Sequence, residues 1–153
     1  MSSFDLYYSY AQVAAFSPAL DKPFNDWSDR HVKQGFTWRE KSASFRMLEE
    51  EGVCRINVVM AENFKPTEGA KRAFVVPFDV DACGVEVGSI SDSHLFDIPA
   101  GHYALYFETG QVGAQGQWAI ITFMLQHEVE PQVLIEDSQL CPTYPLEMRA
   151  NPA

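Results

Sequence analysis

The feature that most constrains this chain is a succession of short β-branched and aromatic stretches. Each is closed by a turn signal, and no long helical pattern stands between them. Side chains on a strand alternate between two faces, so short stretches at this spacing suit the strands of an antiparallel sandwich or barrel. Phe4–Phe16 is aromatic-rich, with Leu6, Tyr8 and Tyr10 in alternation. Ala43–Leu48, Val53–Ala61 and Ala70–Val80 follow. Pro77 cannot donate to a ladder, so it predicts an edge or a bulge in the last of these. The compact turn Asp81–Gly84 predicts a hairpin to Val85–Ile90, and Leu95–Ile98, Tyr103–Glu108, Trp118–His127 and Val133–Ile135 complete the series. Pro99–Gly101 and Gly110–Gly116 are the intervening turns.

The expected fold is therefore all-β: an antiparallel β-sandwich, jelly-roll-like, with one or two short helices. With 153 residues, 46% of them hydrophobic, residues 1–153 are expected to form a single domain. The main helical segment lies in "NDWSDRHVKQGFTWR", Asn25 to Arg39. Asp26 or Ser28 caps it, Asp29 and Lys33 stand four apart, and Gly35 ends it. Two turns do not hold alone in water, so Trp27 and Val32 are the expected packing anchors. A second short helix is expected near Glu136–Leu140.

Charge divides the chain. Residues 1–78 hold ten Lys/Arg and ten Asp/Glu, whereas residues 79–153 hold eleven acids and Arg149 as their one base. The net charge of −10 disfavours direct nucleic-acid binding, which depends on clustered cations, and favours a basic protein partner. Asp79 and Asp81 alternate with Phe78 and Val80, and Glu86 alternates with Val85 and Val87. That pattern predicts one solvated acidic face. The chain has no apolar run of the ~18–20 residues that a membrane helix needs, and its N-terminus lacks a cationic leader, so a cytoplasmic location is expected. Cys54, Cys83 and Cys141 are odd in number and far apart, which suits free thiols.

Catalytic and cofactor motifs are weak. Ser28, Asp29 and His31 share one helical turn and project apart, unlike an aligned nucleophilic triad. Asp92, His94 and Asp97 form a loose cluster without metal-site spacing, and the glycine-rich Gly110–Gly116 precedes a strand instead of opening a helix. Neither a metal nor another cofactor is expected.

The segments "DWSDRHVKQGFTWREKSASF" (Asp26–Phe45), "VPF" (Val76–Phe78) with "GVEVGSI" (Gly84–Ile90), and "IPAGHYALYFETG" (Ile98–Gly110) resemble the competence protein J family, the DNA-entry nuclease inhibitors. The resemblance spans roughly residues 5–126. It implies inhibition of a basic nuclease or nuclease-like protein, not catalysis. Occupation of the nuclease's cationic groove by an acidic mimic of nucleic acid would accomplish this. The chosen partner-binding residues are Asp79, Asp81, Glu86, Glu108, Trp27 and Asp29. A small-molecule-binding or hydrolytic β-sandwich is the alternative, and a self-associating homo-oligomer is a third reading.

Overall fold

The computed structural model describes residues 2–113 and 116–153. Part of the predicted Gly110–Gly116 turn, residues 114 and 115, lies outside the described residues. Eleven strands and one short helix are described. Strands β1 (Ser2–Tyr8), β5 (Gly52–Met60), β10 (Gly116–Leu125), β9 (Gly101–Val112), β6 (Arg72–Val80) and β11 (Gln132–Ile135) form a six-stranded sheet in that spatial order. Strands β3 (Phe36–Arg39), β4 (Ser42–Arg46), β2 (Gln12–Phe16), β7 (Val85–Gly88) and β8 (Ser93–Phe96) form the second sheet. Helix α1 (Asp29–Gln34) precedes β3. Among the described residues, no helix is long and apolar enough to cross a membrane.

The all-β expectation holds, with one departure in topology. Strands β5 and β10 pair in parallel, Gln117 opposite Cys54 and Phe123 opposite Met60, while the other strand pairs are antiparallel. The long excursion through β6–β9 returns the chain to β5 in its starting direction, which local turn signals do not encode.

Alternate residues of the two sheets meet in one core. Phe45 of the second sheet stacks on Phe107 of the first, with ring centroids 4.4 Å apart and planes within 2°. Phe74 lies 5.6 Å from Phe36 and 6.0 Å from Phe45. Burial of each such ring contributes about 1.5–3 kcal/mol, which favours closing the sheets over leaving either face wet.

Several boundaries are set by which sheet a strand joins. The aromatic stretch Phe4–Phe16 is two strands, because the turn at Tyr10 and Ala11 carries the chain from the first sheet to the second. Asp81–Gly84 closes on itself through a bridge, but it joins β6 to β7 across sheets and so forms no hairpin between them. Strand β3 is an addition to the expected series: Phe36, Thr37 and Trp38 favour a strand, but at four residues directly after the helix-ending Gly35 the stretch is too short to stand out as an element of its own. Residues Glu136–Leu140 form a turn, not a helix, with the Leu140 amide donating to the Asp137 carbonyl at 3.2 Å. Pro77 is tolerated because β11 pairs only with residues 73–75 of β6, leaving no strand on Pro77's amide side.

Candidate interaction surface

The carboxylates chosen from sequence do not share a face. Asp79 lies on β6 of the first sheet and Glu86 on β7 of the second. Asp79 is exposed and meets His102 Nδ1 at 2.6 Å. Asp81 receives the Lys41 ammonium at 2.9 Å, so a cation from the front half of the chain neutralises it. Glu86 is half-buried and faces the Ser93 hydroxyl at 3.5 Å. Glu108 is buried, accepting from the Thr67 amide at 2.7 Å and the Thr67 hydroxyl at 3.1 Å. The loop after β5 folds over the sheet there, with Phe64 stacked on Tyr106 at 3.9 Å, and seals Glu108 from solvent. The single acidic face is thus corrected: strand alternation separates faces only within one sheet, and these strands belong to two.

Around α1 the expected cap is present, in a fuller form. Ser28 Oγ accepts from the His31 amide at 3.2 Å, and His31 Nδ1 accepts from the Ser28 amide at 3.0 Å, a reciprocal capping box. Gly35 ends the helix at φ 94°, and a Cβ there would lie 2.6 Å from Phe74 Cζ. The buried residues of α1 are His31 and Gln34, not Val32, which is 40% exposed. Asp29 is exposed in the first turn. Ser28 Oγ donates to Glu147, and the imidazole nitrogen facing Ser28 is occupied by its amide. Serine and imidazole are therefore committed to a helix cap and do not form a nucleophilic pair.

The C-terminal segment closes over this motif. The Gln34 amide donates to the Glu147 carbonyl at 2.9 Å and its oxygen accepts from the Glu147 amide at 2.9 Å. The Ala150 amide donates to the Trp38 carbonyl at 2.7 Å, the Asp26 amide to the Asn151 carbonyl at 2.8 Å, and the Cys141 amide to the Lys33 carbonyl at 2.8 Å. Arg30 donates to the Thr143 and Pro145 carbonyls. Arg72, fully buried, anchors the segment from the core side. Its guanidinium reaches Asp137 at 3.2 Å, Gln139 at 2.7 Å, and the carbonyls of Arg46 and Met47 at 3.1 and 2.9 Å. His31 Nε2 lies 3.4 Å from the Glu147 carboxylate, but its geometry leaves it without a hydrogen bond. Burial lowers the His31 pKa from its ordinary value of 6.5; Glu147 opposes that shift and Arg30 adds to it.

The other flank of α1 is open. A groove of about 460 Å³ is lined mainly by apolar atoms of Tyr10, Trp27, Val32 and Ile90, with Gln12, Arg46 and Glu50 among its polar members. Trp27, chosen from sequence, is half-buried, and its ring nitrogen donates to Gln12 Oε1 at 3.1 Å. The sequence reading overlooked Tyr10, Ile90 and Glu50, because three separate turns bring them together. Asp92 lies 3.6 Å from His94, whose ring is tilted 34° against that of Phe4 at 4.1 Å. Among the described residues, no group of three or more His, Cys, Asp or Glu gathers to hold a metal.

Fold and surface together define a two-sheet β-sandwich with a single described helix at its rim, open on one flank and strapped on the other. The chain belongs to the competence protein J family, whose model matches residues 5–130. Two solved structures share the fold. The crystal structure of ComJ from Bacillus subtilis, inhibitor of the DNA degrading activity of NucA, matches with TM-score 0.69 and 21% identity, over 82% of this chain and 96% of that one. The structure of crocagin biosynthetic gene J matches with TM-score 0.58 and 15% identity, again over 82% and 96% of the two chains. A comparison with curated proteins finds no match. Strand β11 and the C-terminal strap lie beyond the family match.

Proposed function

We propose that this protein inhibits a DNA-degrading nuclease by binding it, and is not itself an enzyme. The observation that carries this reading is membership of the competence protein J family across residues 5–130. The fold shared with the Bacillus subtilis inhibitor of NucA supports it. A net charge of −10 suits the role, because a nuclease presents a cationic groove and opposite charge speeds encounter. Long-range attraction of this kind needs no single row of carboxylates. A fitted copy of the DNA backbone made by Asp79, Asp81, Glu86 and Glu108 is not part of the proposal, since Glu108 is buried and Asp81 is paired with Lys41. The alternative of a ligand-binding sandwich draws no support from the space between the sheets, where Phe36, Phe45, Phe74 and Phe107 pack together.

Titration of the purified protein into NucA, and into the DNA-degrading nucleases of its own host, tests the reading. DNA degradation should stop near equal molar amounts. The block should weaken as added salt shortens the Debye length from about 10 Å to about 3 Å. Undiminished degradation by each nuclease at micromolar protein would refute it.

A further inference from the structure

Tyr10 stands at the mouth of the open groove on strained backbone. Tyr10 and Ala11 take φ of 56° and 53°, the left-handed region where glycine or asparagine is the usual turn residue. Two hydrogen bonds hold the turn there: the Ala11 amide donates to the Glu50 carbonyl at 2.7 Å, and the Met47 amide to the Ala11 carbonyl at 2.7 Å. The outcome is a tyrosine 73% exposed, beside Ile90 at 50%. Backbone strain that sets an aromatic ring in water beside an apolar concavity is typical of a working surface, because tyrosine supplies large contact area at little entropic cost.

The polar members of the lining indicate what enters. Arg46 donates to the Val32 and Gln139 carbonyls at 3.0 and 3.3 Å, which directs its guanidinium at the protein; these acceptors are uncharged, so its positive charge remains and offsets one of the three carboxylates of the next turn. Glu50 lines the groove, and its neighbours Glu49 and Glu51 are exposed on the same turn. Tyr7 donates to Glu51 at 2.6 Å, and Gln111 to Glu49 at 3.2 Å. Both partners are uncharged, so these contacts leave the negative charge of the two carboxylates in place.

We propose, resting on the inhibitor reading above, that this groove is where the nuclease docks. An apolar or aromatic side chain on a lysine- or arginine-rich loop of the nuclease enters between Tyr10, Val32 and Ile90. Glu49, Glu50 and Glu51 face the loop's cations. Charge complementarity selects this occupant: three consecutive carboxylates on a protein of charge −10 repel a second copy of the chain and attract a basic one. The carboxylates govern the rate of association, and Tyr10, Ile90 and Trp27 govern the lifetime.

The test compares Tyr10→Ser, Ile90→Ser and Glu50→Lys with Leu125→Ser in the nuclease-inhibition assay. Leu125 is an equally exposed apolar residue on β10 and is not part of the groove lining. Melting curves confirm folding, and amide exchange of the complex locates the contact. The inhibition constant should rise at least ~10-fold for Tyr10→Ser and for Ile90→Ser, the loss expected when a central interface side chain is truncated. Glu50→Lys should slow association several-fold and flatten its salt dependence, while Leu125→Ser inhibits like the wild type. Exchange should slow at residues 9–12, 27–32 and 89–91. Full inhibition by the three groove variants, or protection confined to other segments, overturns the docking site and leaves the inhibitor reading standing. A wild-type protein that neither binds nor inhibits any nuclease overturns both. Self-association in sedimentation that Ile90→Ser abolishes would make a second copy the occupant and overturn the proposal.

Discussion

The two flanks of helix α1 are finished in different ways. On one flank His31 and Gln34 are buried, and the strap meets the chain with amide-to-carbonyl bonds from Cys141, Glu147 and Ala150. On the other, Val32 and the half-buried Trp27 border an open groove with Tyr10 and Ile90. The strapped flank is polar, and a buried polar group without a partner costs about 1–3 kcal/mol, so it needs a covering segment that supplies partners. The groove is mainly apolar. Its exposure costs only the hydrophobic gain forgone, about 25 cal/mol per Å², and that gain stays available to a partner. Structure has been completed where the backbone demanded it, and surface left where a partner can use it.

The sharpest way to break the strapped flank is Arg72→Met. It removes the donor that holds Asp137, Gln139 and two backbone carbonyls, and should cost about 3–5 kcal/mol in urea unfolding, the range for breaking a buried charge network. Gln34→Ala is the gentler version. Both backbone groups of Glu147 lose their partner, for about 1–3 kcal/mol, and proteolysis of the C-terminal segment should quicken while the groove retains its nuclease affinity. The groove flank should respond in the opposite direction. Ala11→Gly relieves a left-handed residue and should stabilise the protein by about 1 kcal/mol in thermal unfolding, with Tyr10 still in place.

The smallest expected effect is one of pH. Burial depresses the His31 pKa below 6.5, so the unfolded chain binds a proton more readily than the folded one. Stability should be intact above pH ~6.5 and decline as pH falls through the lowered folded value, levelling off beneath it. His31→Gln should flatten that part of the stability–pH curve. A curve that instead rises on acidification would mean that the Glu147 ion pair outweighs burial.

Much of the fold was legible one element at a time. Val53–Ala61, Ala70–Val80, Tyr103–Glu108 and Trp118–His127 overlap β5, β6, β9 and β10, because β-branched and aromatic runs between turns specify strands locally. Ser28 and Gly35 marked the ends of α1, since caps depend on a few adjacent residues. Trp27 was the one chosen residue that lines the groove; Tyr10, Glu50 and Ile90 come from turns 40 residues apart in each interval and share no pattern. His31 and Gln34 read as polar helix residues, and only the strap beyond the family match explains why they are buried.

The order of residues by itself determined the strand-rich class, the helix caps and the total charge, for these follow from side-chain chemistry and near neighbours. Tertiary structure alone decided which sheet each strand joined, and therefore whether a carboxylate met water, a lysine or, buried like Glu108, the amide and hydroxyl of Thr67. The physical reason is that alternation records only which way a side chain points from its own strand. What lies on that side depends on contacts between segments far apart in the chain, which local pattern does not encode.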